Sequence, residues 1–281
     1  MTTSTRELLE TARLAILELT FEPERIAPLI ADLGSTPFSE QGDDLAAAVT
    51  SWLHERTGDL HLRLVHEPVA SDDPEAERAT WRRLSLATAG GIAGIDRRTT
   101  DTVLRIGEIL CHPADSGAEL RAAIALVAGA DRLVVDLRGC RGGAPEAVAV
   151  LCGGLLGEEP EHLVDIVGRT FTVQSWTTPW EHPRRLPPTC PIAVLVSPTT
   201  FSGGEELAFV LQDLGRARVI GERTRGGANP REARRLDAEW AVHVPVAHTV
   251  SPRTGRSWEG VGVIPDLEVA AADALEHAWA R

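Results

Sequence analysis

Ser202 is the residue of this chain best placed for covalent chemistry. It stands directly before Gly203 and Gly204, in the segment PIAVLVSPTTFSGGEE at 191–206. The run 192–196 is apolar and rich in branched side chains, as a buried strand is. Ser197 and Pro198 stop it. Leu207, Val210, Leu211 and Leu214 then repeat at helical spacing, and Gly215 closes the pattern. A serine at such a strand-to-helix turn presents its hydroxyl at a helix N-terminus, where backbone N–H groups meet developing negative charge. That suits the nucleophile of an acyl transfer. The stretch Ser202-x-x-Glu205 also reads as a capping box, in which Ser202 caps the helix and Glu205 reaches back to it. By itself the stretch leaves both readings open.

A serine nucleophile needs a base. All 28 residues counted as lysine or arginine are arginine, so a neutral lysine is excluded and histidine is the natural choice. His61 stands at a loop-to-strand junction beside glycine and acid, where functional groups are often displayed; its plainer reading is a surface or partly buried histidine bonded to backbone. His243 and His248 are an odd number of residues apart on one expected strand and would face opposite sides. His162 and His182 fall in an irregular stretch, and His54 on a helix. Glu259, Asp266, Glu222 and Asp59 are candidates to orient the imidazole. Oxyanion donors could come from the N–H of Gly203 and of Gly142 or Gly143, or those glycines could serve only a tight turn. Cys140 lies between Arg138 and Arg141, whose charge would lower its pKa and make it a rival nucleophile.

The elements that must position these residues follow from the pattern. Residues 4–57 read as helices: Leu8, Ala12, Ile16 and Leu19 share a face, as do Ile26, Leu29, Ile30 and Leu33, and then Leu45, Ala48, Val49, Trp52 and Leu53. Residues 62–65 alternate like a strand, and 66–80, polar and acidic with two prolines, read as a loop or surface segment. From Asp101 strands and helices alternate: strands at 103–109, 132–137, 192–196 and 217–221, helices at 118–127 and 145–156, with an irregular excursion holding strand pieces at 158–189 and a further strand at 240–246. Repeated strand–helix units argue for an α/β core with parallel pairing. The expected organisation is a helical lobe at 1–60 and an α/β core at 61–281.

Composition narrows the function classes. The net charge is -13 and no basic block appears, which argues against nucleic acid and anionic membranes as partners. The start MTTSTRELLE has no signal-peptide core and no apolar run is long enough to span a bilayer, so a cytoplasmic protein is expected. Cys111, Cys140, Cys152 and Cys190 are widely spaced, indicating neither a zinc site nor a disulfide framework. No glycine-rich dinucleotide or phosphate loop is present, and no cofactor or metal is expected.

Several segments together resemble one family, the tail-specific (C-terminal processing) serine peptidases, in the branch similar to tricorn core protease and the interphotoreceptor retinoid-binding protein modules. Asp136-Leu137-Arg138-x-x-x-Gly142-Gly143 is similar to its Asp-x-Arg-x-Asn-x-Gly-Gly turn, with Cys140 in place of asparagine. Thr200 to Glu206 resembles its nucleophile segment, and Gly221-Glu222-Arg223-Thr224-x-Gly226-Gly227 follows in order. Trp258 to Asp266 resembles its ending, and Gly58 to Leu62 its histidine-bearing segment. The resemblance implies a crotonase-like or Clp-protease-like α/β spiral core. It implies Ser202 as nucleophile, His61 as base, Glu259 as carboxylate partner, and Gly203 and Gly142 as oxyanion donors. Leu60 stands where the tricorn-like site has serine, and Gly226-Gly227 where the processing branch has its catalytic lysine. The stretch from His61 to Asp101 is too short for a PDZ domain. The implied function is a serine hydrolase cleaving peptide or small amide substrates through an acyl-enzyme. The alternatives are an acyl-transferring enzyme on the same site and a non-catalytic binder of an apolar ligand. Oligomeric state is not readable, and a homo-oligomer stays open.

Overall fold

The computed structural model describes residues 4–67, 74–179 and 184–280; His182 and Trp180 lie outside them. In chain order the elements are α1 (Thr5–Leu19), α2 (Pro23–Leu29), α3 (Gly42–Thr57), β1 (Arg63–His66), α4 (Pro74–Ala87), β2 (Ile92–Arg97), β3 (Thr102–Ile106), α5 (Pro113–Val127), β4 (Leu133–Asp136), α6 (Pro145–Leu155), β5 (His162–Gly168), β6 (Thr172–Trp176), β7 (Ile192–Val196), α7 (Gly203–Asp213), β8 (Ala217–Gly221), β9 (Arg231–Arg235), β10 (Trp240–Pro245), β11 (Ala247–Val250) and β12 (Leu267–Glu268). Local chemistry sets many of the ends. Ser4 and Glu7 form a capping box at α1, prolines open α2, α5 and α6, and Gly58 closes α3 at φ 74°.

The chain divides into two units. The first comprises residues 1–73, 166–173 and 229–249. In it α1, α2 and α3 bury Leu8, Leu9, Ile16, Ile26, Val49 and Leu53 together with Leu64, Val242 and Val244 from the antiparallel sheet β1-β10-β9. Pro28 falls inside α2, and the helix stops one residue later. The hairpin turn between β5 and β6 belongs to this unit; its Arg169 donates to the carbonyls of Glu18 (3.1 Å) and Thr20.

The second unit comprises residues 74–165, 174–228 and 250–281. Its sheet has the order β12-β8-β7-β4-β3-β2 and is parallel except for the antiparallel pair β2–β3. β7 is central, and all five of its residues are buried, which is why it reads as a continuous apolar run. Val103, Val134, Ala193, Leu195 and Ile220 cover one face with Ala274 and Ala278. The architecture is thus mixed α/β with a largely parallel sheet and a helical N-terminal region.

Residues 74–80 correct the sequence reading. They open a helix, α4, and not a loop. Between Arg78 and Ala87 only Ser85 is fully buried, donating to the Asp115 carbonyl at 2.9 Å, while Trp81 and Leu86 face solvent. A helix with so little buried surface leaves no apolar stripe to read.

Candidate active site

β7 delivers the chain to a turn pinned against the loop after β4. Ser197 Oγ and Thr199 Oγ1 both donate to the Arg138 carbonyl, at 2.6 and 2.7 Å, and Thr200 Oγ1 donates to that of Leu137 at 2.9 Å. The Phe201 N–H donates to the Cys140 carbonyl at 3.0 Å. Ser202 follows as the N-cap of α7 with φ 50° and ψ -123°. Among the described residues only Ala89 shares a positive φ without being glycine. Such a conformation costs on the order of 1–3 kcal/mol and persists only where the surroundings over-determine it.

The glycines on both sides are required by space. A Cβ on Gly203 would lie 2.9 Å from the Gly143 oxygen, and one on Gly204 would lie 2.9 Å from Cys140 Sγ. Gly142, at φ 131°, backs onto Ser202 so closely that a Cβ there would be 3.0 Å from the serine Cβ and 3.5 Å from Oγ. The Gly142 carbonyl accepts from Leu110 at 2.9 Å. The N–H groups of Gly142, Gly143 and Gly203 donate to no protein group among the described residues. Ser202 is thus flanked by uncommitted backbone donors at a helix N-terminus.

Glu205, one turn into α7, holds the next loop in place. Its Oε1 accepts from Thr224 Oγ1 and from the Gly226 N–H (2.6 Å); its Oε2 accepts from the Gly227 N–H (2.8 Å) and the Ser202 N–H (2.9 Å). Burial raises the pKa of this carboxyl above the ordinary value, and the four donated bonds offset only part of that rise. The capping-box half in which Glu205 reaches back is therefore present, within a wider network that sequence reasoning missed. Its partners lie about twenty residues downstream, beyond any local motif.

Cys140 does not behave as its sequence neighbours suggest. Arg138 is bidentate to Asp136 and Arg141 reaches Glu108 at 3.2 Å. The thiol is buried and points to the Gly142 carbonyl at 3.6 Å, and burial pushes its pKa up to about 11. That corrects the expectation of a lowered pKa and removes Cys140 as a rival nucleophile.

The candidate carboxylates are placed as follows. Glu259 Oε2 accepts from the Ala228 N–H at 2.6 Å, on a loop whose buried Trp258 donates to the Gly227 carbonyl at 3.1 Å. Asp266 accepts from the Val219 N–H and Glu222 from the Ala271 N–H, both backbone anchors. These lie in the second unit with Ser202, Gly203 and Gly142. His61 and Asp59 lie in the first. There Asp59 Oδ1 accepts from the His61 N–H at 2.8 Å, and Oδ2 accepts from Asn229 Nδ2 at 2.9 Å. Asn229 Oδ1 in turn meets His248 Nδ1 at 3.3 Å. Asp59 thus fixes the His61 backbone. His243 and His248 fall on separate strands, since β10 ends at Pro245. Among the described residues no cluster of three or more His, Cys, Asp or Glu side chains could hold a metal, and no helix is long and apolar enough to cross a membrane.

Known proteins resemble this chain in sequence and in fold. The sequence pattern of Peptidase family S41 matches residues 103–269. Over 151 residues the chain is 32% identical to a carboxyl-terminal-processing protease of Picosynechococcus sp., a match covering 53% of this chain and 34% of that protein. The chain therefore spans about a third of that relative's length. Two solved structures share the fold. A lipoprotein from Streptococcus agalactiae aligns with TM-score 0.65 at 13% identity, covering 99% of this chain and 96% of the other. The photosystem II D1 C-terminal processing protease aligns with TM-score 0.58 at 17% identity, covering 96% and 94%.

Proposed function

From the premise that the chain belongs to Peptidase family S41, we propose that it is a serine hydrolase cleaving amide bonds in peptides, with Ser202 as its nucleophile. The observation that carries this reading is the strained backbone of Ser202 at the N-terminus of α7, with glycine backbone on either side. A capping serine needs no positive φ, so a cap alone leaves that strain unexplained.

In the proposed mechanism Ser202 Oγ bonds to the substrate carbonyl carbon as its proton passes to His61. The oxyanion so formed accepts from the N–H groups of Gly203 and Gly142; one such donor is worth about 3 kcal/mol of barrier lowering. The carbon–nitrogen bond then breaks, and the imidazolium gives its proton to the leaving amine. Water attacks the acyl-enzyme with His61 again as base, releasing the acid and restoring Ser202. Glu259 is the proposed carboxylate partner, and Asp59 holds the His61 backbone.

A fluorophosphonate probe tests the assignment. The intact protein is expected to label covalently, with labelling lost in Ser202→Ala and strongly reduced in His61→Ala. Labelling that survives Ser202→Ala removes the nucleophile. A folded protein that neither labels nor cleaves peptides favours the apolar-ligand binder.

A further inference from the structure

The antiparallel sheet of the first unit has a second face. Val242 and Val244 on β10 are fully buried in the helical core, so Ala241, His243 and Pro245 lie on the opposite side. Their cross-strand partners share that side: Arg63 and Val65 on β1, and Arg231, Ala233 and Arg235 on β9. Three arginines therefore gather on one face of a chain whose net charge is -13.

The details of that face suit an anion. Arg63 Nε donates to His243 Nδ1 at 2.9 Å. A guanidinium only donates, so Nδ1 carries the lone pair and the ring proton sits on Nε2. Desolvation, then Arg231, Arg63 and His61, push the imidazole pKa down to about 3, which keeps His243 neutral. Arg231 makes no side-chain hydrogen bond or ion pair among the described residues. Arg231 is exposed at the surface, and its neighbourhood, first by desolvation and then through Arg63, lowers its pKa against the pull of Glu67. Ala233 faces His243 across the ladder, and its small side chain keeps the middle of the face low.

We propose that this face is a carboxylate-binding subsite for an acidic peptide, with Arg231 and Arg63 holding the anion and His243 Nε2–H donating to it. This deepens the peptidase reading and rests on it. Arg63 lies two residues after His61, so the subsite adjoins the proposed base along the chain.

Binding of labelled peptides to the Ser202→Ala protein tests the subsite without turnover. The probes are a decapeptide with three central glutamates and its twin with glutamines, each with a free or an amidated C-terminus. The amidated glutamate peptide is expected to bind about tenfold or more tightly than its glutamine twin, as charge-assisted bonds to arginine allow. Arg231→Gln should abolish that difference, Arg231→Lys should retain part of it, and unchanged thermal melts would show that both variants fold. If only the free C-terminus confers tight binding, and Arg231→Gln removes it, the same subsite reads a chain terminus. Equal binding of all four peptides, or a preference untouched by Arg231→Gln, overturns the proposal. Either outcome leaves the Ser202 labelling result standing by itself.

Discussion

Glu205 Oε1 accepts the Gly226 N–H at 2.6 Å, and this bond ties the start of the Ser202 helix to the loop at 224–227. With the Thr224 hydroxyl and the Gly227 and Ser202 N–H groups, four donors converge on one buried carboxylate. Glu205→Ala leaves all four without an acceptor. Each buried orphan costs about 1–3 kcal/mol, so a loss of at least about 4 kcal/mol is expected for the four. In a thermal melt that is a fall of at least roughly 8–16 °C for a chain of this size. Glu205→Gln keeps one acceptor oxygen but turns an amine toward donors, and should fall between. A melt of Glu205→Ala matching the parent would show that the network contributes nothing to folding.

Gly142 backs onto Ser202, and its φ of 131° lies where side chains are strained. Gly142→Ala adds a methyl 3.0 Å from the serine Cβ. The turn must retreat, carrying its N–H away from the proposed oxyanion position. The expected result is a fall of about a hundredfold in fluorophosphonate labelling rate or kcat/KM, in line with loss of one oxyanion donor. The substrate KM should move little, because the lost contact is made in the transition state. A raised KM with unchanged kcat would place the turn in ground-state binding.

The strand–turn–helix around Ser202 was legible in the sequence because its period switches from a continuous apolar run to helical spacing at one place. Its order with the 136–143 turn and the 221–227 loop was legible too, as a resemblance. The φ of Ser202 was not, since strain is imposed by a turn 60 residues away in sequence, stitched on through Ser197, Thr199 and Thr200. Cys140 was misread for a related reason. Adjacent charges in sequence need not be neighbours in space, and Arg138 and Arg141 spend theirs on Asp136 and Glu108. The arginine face emerges only once the register of β1, β10 and β9 is known, because Arg63 and Arg231 are far apart in the chain.

Glu206 gives the folded protein a pH dependence of definite sign. It is buried on α7, its Oε1 has no hydrogen-bond partner among the described residues, and burial followed by the charge of Glu146 pushes its pKa up to about 8 from an ordinary 4.5. Between those values the folded state holds a proton that the unfolded chain has lost. Its contribution to stability is thus complete below pH 4.5 and fades as pH rises to about 8, at most about 1.4 kcal/mol per unit. Glu206→Gln should melt like the parent near the acid end of that window and at a higher temperature near its alkaline end. Parallel melting curves for the two proteins across the window would mean that Glu206 is solvated or paired in solution.

Asn229 is expected to act on chemistry through Asp59. Its amide donates to Asp59 Oδ2 at 2.9 Å, while Oδ1 receives the His61 N–H at 2.8 Å. Burial raises the Asp59 pKa, and the Asn229 bond is the first of the interactions that lower it. Asn229→Ala removes that donor, so Asp59 should take up a proton at higher pH and release its hold on the His61 backbone. The acid limb of the kcat/KM profile should therefore move upward, with kcat lost and KM little changed. A purely structural role would lower the melting temperature without moving that limb. Exchanging the two residues, Asp59→Asn with Asn229→Asp, keeps a donor opposite an acceptor and leaves an oxygen for the His61 N–H. The exchanged pair should recover more activity than either single variant, whereas additive losses would show that the two side chains do not work together.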